Sequence, residues 1–145
     1  STIARESDSV VYINAGPEIA VATTKAYVTQ VLTFSLIGYK LGLKNKLVTD
    51  DIKKDYYKLP DEISKILKLD YEKLSLKISK ENDVFFIGRL IDYYLCLEGS
   101  LKLKEISYIH SETYPAGELK HGTISLIDDD TTVIAIVTED RNSVV

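Results

Sequence analysis

The sequence predicts an α/β fold, with helices flanking a parallel sheet. Three features carry this. Short β-branched or aromatic runs alternate with longer stretches of helical periodicity, the order expected of βαβ units. One helical stretch is apolar on nearly every side, which suits a helix that is buried or shared between two units. Between the two halves the composition shifts sharply toward polar and charged residues at 44–59, the natural place for a linker.

Taken in order, Val10-Val11-Tyr12-Ile13 predicts a short strand, and Asn14-Ala15-Gly16-Pro17 a turn after it. Thr23 to Leu41 predicts the all-round apolar helix, with Gly42 as its stop. Pro60-Asp61-Glu62 predicts the start of a second helix running to about Leu69, because proline and acids suit a first turn. Tyr71 to Lys80 continues as a short amphipathic helix, and Val84 to Gly88 as a buried strand closed by a glycine turn. A long helix follows from Asp92 to about His110, then a turn at Gly117–Gly122 and a β-rich run from Thr131 to Val137.

The chain has 145 residues, 45% hydrophobic and 28% charged, enough to bury a core of ordinary domain size. A net charge of −4 argues against nucleic acid as a partner, since phosphate contacts reward a basic face. The single cysteine, Cys96, cannot form an internal disulfide and fits a cytoplasmic setting. Ala26 to Leu43 is interrupted by Thr29, Gln30, Thr33 and Lys40, so no membrane span is expected. The missing initiator Met and the ending on Ser143-Val144-Val145 lead us to expect a piece of a longer protein.

The chemistry concentrates on the long helix. At about 3.6 residues per turn, Glu98, Lys102 and Glu105 form one polar stripe at i, i+4 and i+7. Apolar stripes flank it, Cys96, Gly99, Leu103 and Ile106 on one side and Leu97, Leu101 and Tyr108 on the other. Such a stripe is either a solvated ion-pair ladder, the common case, or a set of carboxylates and an ammonium held in a cleft where neighbours tune a general base. By position alone His121 reads as a turn residue, His110 as a favourable charge at a helix C-terminus, and Cys96 as a core thiol. No His, Cys and carboxylate set has metal-ligand spacing, and no Gly-rich phosphate loop or nucleophile elbow is present.

Three motifs go further. The first comprises Arg5-Glu6-Ser7-Asp8, Asn14 to Ile19 and Val21-Ala22-Thr23-Thr24-Lys25-Ala26-Tyr27. The second is Leu97-Glu98-Gly99-Ser100-Leu101-Lys102-Leu103-Lys104-Glu105-Ile106-Ser107-Tyr108, and the third Gly117-Glu118-Leu119-Lys120-His121-Gly122. In this order they resemble the sugar-isomerase (SIS) units of the glucosamine-6-phosphate synthase family.

The resemblance implies the end of a first SIS unit at 1–43, a linker and linker helix at 44–70, and the start of a second unit at 71–145. It implies isomerisation within the conversion of fructose 6-phosphate and glutamine to glucosamine 6-phosphate, without a cofactor, in a homodimer or higher oligomer. Glu105 would be the base that moves a proton between C1 and C2, and His121 of a neighbouring subunit would open the sugar ring. Lys102 would lie in the same site, and the Val21 backbone would contact the substrate. The chemistry is coherent, since proton transfer next to a carbonyl needs a positioned base and an opened ring.

The chain departs from the family pattern at Leu90, where Gly-Arg-Gly is usual, and at Thr123, where His-Gly-Pro is usual. The glutamine-hydrolysing domain, the Ser/Thr-rich phosphate loop and the C-terminal lysine tail fall outside these residues, so the piece alone is expected to be inactive. A sugar-phosphate-sensing SIS module of a regulator is the alternative, although a sensor has no need of Glu105 and His121.

Overall fold

The computed structural model describes residues 1–138. The last seven residues of the second unit expected from sequence, 139–145, lie outside the described residues. The chain divides into two compact units, Ser1–Leu69 and a second from Asp70 onward.

The first unit is helical. Helix α1 (Thr2–Glu6) is followed by an irregular segment, α2 (Lys25–Lys44), a 3-10 turn (Asp50–Ile52) and α3 (Lys53–Ile66). The strand expected at Val10–Ile13 does not form, and Val11 and Tyr12 stand exposed. A strand needs a neighbour to satisfy its backbone, and the first unit contains no other strand among the described residues.

Helix α2 runs past Gly42, correcting the expected stop. It ends in a Schellman motif around Lys46 (φ 57°), with Leu47 N–H donating to the Gly42 carbonyl at 2.8 Å and Lys46 N–H to Leu43 at 3.1 Å. Gly42 serves packing instead, since a Cβ there would meet a Val48 methyl at 2.9 Å. Of α2 only Tyr39 is buried; its hydroxyl donates to Asp50 at 2.5 Å and its ring lies 5.6 Å from Tyr56. Val28, Val31, Phe34, Ile37 and Leu41 are exposed, so within its own unit α2 is not the buried helix its composition suggests.

Pro60 also corrects an expectation, because it lies inside α3 rather than at its start. The helix begins a full two turns earlier, where Tyr56 packs on Tyr39 and shares a 2.7 Å hydrogen bond with Ser35. The tertiary contact outweighs the one backbone hydrogen bond that proline removes.

The second unit is the α/β body. Helix α4 (Glu72–Ile78) leads into β1 (Asp83–Gly88), α5 (Ile91–Ser107), β2 (His110–Pro115), two 3-10 turns and β3 (Thr132–Ala135). The strands are all parallel, in the order β2-β1-β3, with Phe86 opposite Thr113 on one side and Ile134 on the other. The observed fold class is therefore the expected one, a parallel sheet flanked by helices.

Val84, Phe86 and Cys96 form the core, with Ile78, Leu103, Ile109, Ile134 and Ile136 packed against it. The β1–α5 junction is tight: a Cβ on Gly88 would come within 2.5 Å of the Asp92 backbone. Helix α5 ends at Tyr108, which is left-handed (φ 62°), so His110 belongs to β2 and not to the helix end. No helix of the described residues is long and apolar enough to cross a membrane.

Candidate functional site

Helix α5 is held against the sheet by its small and apolar side. Gly99 lets the Phe86 ring approach, since a Cβ there would lie 3.3 Å from the ring edge. Ser100 and Ser111 are both buried. The Ser111 hydroxyl donates to the Ser100 carbonyl at 3.0 Å and lies 2.8 Å from the Ser100 hydroxyl. Thr113 adds a third tie, its hydroxyl donating to the Cys96 carbonyl at 3.2 Å. These bonds fix the rotation of α5 about its axis, and with it the direction in which the Glu98–Lys102–Glu105 stripe points.

That stripe is half-buried rather than freely solvated. The side chains of Glu98, Lys102 and Glu105 retain 25%, 19% and 29% of their exposure. The Lys102 ammonium sits 2.6 Å from Glu105 Oε2 and 3.5 Å from Glu98 Oε1, so one cation is shared by two carboxylates. The Glu105 hydrogen bond, above all, holds the Lys102 pKa above its ordinary value; desolvation opposes that rise and the Glu98 charge adds to it. The stripe therefore carries one net negative charge while Lys102 is protonated. It can accept a proton from a neighbouring carbon acid or hydroxyl, provided the ammonium leaves one carboxylate oxygen free.

The other residues singled out from sequence are placed as follows. Val21 is exposed in the first unit, in the loop before α2. That loop is tied down by Glu18, whose carboxylate accepts from the Thr24 and Ala26 N–H groups at 3.2 and 3.1 Å, capping the α2 N-terminus. Lys25 adds a 2.7 Å bond to the Pro17 carbonyl. The loop's backbone conformation is thus set by Glu18 and Lys25, two residues to which the sequence pattern gave no role of their own; an acid just before a helix is the signal that could have found the cap.

His121 closes the 3-10 turn Leu119–His121 and is exposed. Its backbone N–H donates to Glu118 at 3.0 Å, and Gly122 follows at φ 152°, a region that favours glycine. Among the described residues its imidazole makes no hydrogen bond to Glu105 or Lys102. The structure thus brings Lys102 and Glu105 together and leaves His121 apart from them within the chain.

Cys96 is fully buried, donates to the Ile87 carbonyl at 3.1 Å, and has its thiol pKa pushed up by burial, all marks of a core thiol. His110 bonds Asp83 at 2.7 Å and approaches Glu112 at 3.7 Å. These three border a cavity of about 500 Å³ at the amino ends of the strands, away from the ends where α/β sheets ordinarily bind ligands. No His, Cys, Asp and Glu group among the described residues is arranged to hold a metal.

Comparison with known proteins gives the arrangement a context. Residues 77–145 match the SIS domain model. The chain is 49% identical to the isomerising glutamine–fructose-6-phosphate aminotransferase of Caldanaerobacter subterraneus, over 97% of this chain and 24% of that protein. It is 48% identical to the enzyme of the same name from Clostridium tetani, again over 97% of this chain and 24% of the relative. Among solved structures, the C-terminal domain of glucosamine-fructose-6-phosphate aminotransferase from Francisella tularensis superposes with a TM-score of 0.85 at 39% identity, covering 97% of this chain and 42% of that one. The chain therefore spans about a quarter of the length of these curated relatives.

Proposed function

We propose that this chain, whose residues 77–145 belong to the SIS-domain family, is a stretch of the isomerase half of an isomerising glutamine–fructose-6-phosphate aminotransferase. It would run from the end of a first SIS unit (1–43) through a linker (44–70) into a second (71–145). One observation carries the reading: the half-buried Lys102–Glu105 pair at 2.6 Å, set on α5 in a chain 49% identical to a relative of that name.

In this reading Glu105 takes a proton from one of the two carbons, C1 or C2, of the open-chain sugar phosphate and returns it to the other, interconverting ketose and aldose forms. Lys102 is the neighbouring cation that steadies the negative charge appearing on the sugar oxygen as the proton leaves. His121, exposed on its turn, is free to enter the site of a second subunit and move the ring-opening proton, which imidazole does near neutral pH. The Val21 backbone, on its Glu18-capped loop, contacts the sugar phosphate. The working protein is then a cytoplasmic homodimer or higher oligomer, and this stretch by itself is inactive.

In the full-length parent, Glu105→Gln keeps the shape and removes the base. Interconversion of fructose 6-phosphate and glucose 6-phosphate should fall by about 10²–10⁴-fold. Glutamine hydrolysis, carried elsewhere in the protein, should persist at least in part. Near-normal isomerisation in that variant contradicts the assignment.

A further inference from the structure

His121 is exposed, so its direction is set by the turn that carries it. The entry to that turn is fixed on the sheet: Ala116 N–H donates to the Gly88 carbonyl at 2.9 Å, and Glu118 N–H to Pro115 at 2.8 Å. The exit is held differently. Gly122, at φ 152° and ψ −54°, leads into the 3-10 segment Thr123–Leu126, where Thr123 is half-buried between two exposed neighbours, Gly122 and Ile124. The Thr123 hydroxyl reaches the Tyr114 oxygen, whose own proton goes to Glu112. A phenol has one proton, so Thr123 is the donor in this second bond. The Tyr114 pKa agrees: it is raised, by the Glu112 bond above all, while the Thr123 hydroxyl pulls it down. Tyr114 is itself well placed, on β2 with its ring stacked on Phe85 of β1, centroids 6.3 Å and planes 26° apart.

We infer that Thr123 is a positioning residue for ring opening: its hydroxyl, docked on Tyr114, holds the exit of the turn and so aims His121 toward the sugar of the neighbouring subunit. This inference rests on the reading of His121 as the ring opener. Thr123 stands where proline is usual in the pattern of the resembling family. A proline has no hydroxyl to give Tyr114, and it disfavours the α-like ψ that Gly122 adopts here. The turn of this chain is thus held at its exit by a side-chain bond and not by ring geometry. Thr123 acts through His121, and the substitution that matters is loss of its oxygen.

The test uses the full-length parent enzyme, with rates referred to folded protein by circular dichroism. Two substrates are compared, fructose 6-phosphate and its 5-deoxy analogue, which lacks the ring-forming hydroxyl and stays open-chain. Solvent exchange of the C1 proton is read for both. Thr123→Val keeps the shape and removes the hydroxyl. Its kcat on fructose 6-phosphate should fall roughly tenfold, less than the 10²-fold that a misplacement of about 1 Å can cost. KM should stay within about twofold, and exchange on the open-chain analogue should match wild type. Thr123→Ser, which keeps the hydroxyl, should recover most of the loss, and Tyr114→Phe should repeat the valine result from the other side of the bond. Unchanged kcat on fructose 6-phosphate in Thr123→Val and Tyr114→Phe overturns the inference, as does an equal loss on both sugars or a loss that serine fails to restore. Should His121→Asn be slow on fructose 6-phosphate alone while Thr123→Val turns over normally, only this inference falls. Should His121→Asn open and isomerise fructose 6-phosphate normally, the ring-opening role falls with it.

Discussion

Leu90 occupies the one position where this chain's departure from the family pattern meets an unusual backbone. At φ 49° and ψ −120° it caps α5 in a conformation that glycine adopts freely and a side chain with a Cβ does not. A strained residue of this kind costs about 1–3 kcal/mol. Leu90 is 65% exposed, so about a third of a leucine's worth of burial, roughly 0.5–1 kcal/mol, is lost on truncation to either alanine or glycine. Alanine keeps the strain; glycine releases it and loses about 0.5–1 kcal/mol to the flexibility of the unfolded chain. Taking the middle of these ranges, Leu90→Gly should be more stable than Leu90→Ala by about 1 kcal/mol and within about 1 kcal/mol of wild type. Urea unfolding with a common m value reads this as a higher midpoint for the glycine variant. An alanine variant as stable as the glycine one would refute the strain argument, because the two differ only in the Cβ that the backbone angle penalises.

Two further predictions concern the supports of the fold. Ser111→Ala leaves buried hydroxyl and carbonyl groups of Ser100 short of a partner and should destabilise the chain by about 1–3 kcal/mol in the same unfolding assay. No loss would mean that α5 is not held by this tie. The Tyr39 hydroxyl, bonded to Asp50, has its pKa raised from 10.0 to about 12, chiefly by that bond and then by burial. Because the folded value is the higher one, the bond's contribution is intact below pH 10.0 and fades as pH rises through that value toward about 12. Subtracting the tyrosinate titration of Tyr39→Phe from that of wild type should leave a step near pH 12, and a step near pH 10.0 would contradict the geometry.

Much of the second unit was legible in the sequence, for a physical reason. β1 is the central strand, with Val84, Phe85 and Phe86 all buried, so it reads as a continuous apolar run. β2 lies at the edge and runs His-Ser-Glu-Thr-Tyr-Pro; its buried member is a serine satisfied by hydrogen bonds rather than an apolar residue. The sequence pattern therefore marks no strand at 111–115 and carries the helix on to His110, because α5 stops at a left-handed tyrosine and not at a glycine. In the first unit, Val10–Ile13 has the composition of a strand but no partner in that unit, and composition cannot supply one. The interior Pro60 misled for the opposite reason, because the Tyr39–Tyr56 contact that anchors α3 is tertiary and invisible to local propensity. The Glu98–Lys102–Glu105 stripe followed directly from helical spacing. Its division into one close and one looser contact did not, since that depends on side-chain reach and on the sheet beneath α5.

In the proposed reading this stretch supplies the acid–base pair of a sugar-phosphate isomerisation, Glu105 from one subunit and His121 from another. Mixing two inactive forms of the full-length parent tests it most directly: subunits carrying only Glu105→Gln are refolded together with subunits carrying only His121→Asn. A mixed dimer then has one site with both substitutions and one site with neither. Interconversion of fructose 6-phosphate and glucose 6-phosphate should return in the mixture, to about a quarter of the wild-type rate if the subunits associate at random. A mixture that forms dimers and stays inactive would contradict the shared site. Should His121→Asn by itself isomerise normally once folded, His121 would be no more than the residue that closes its turn.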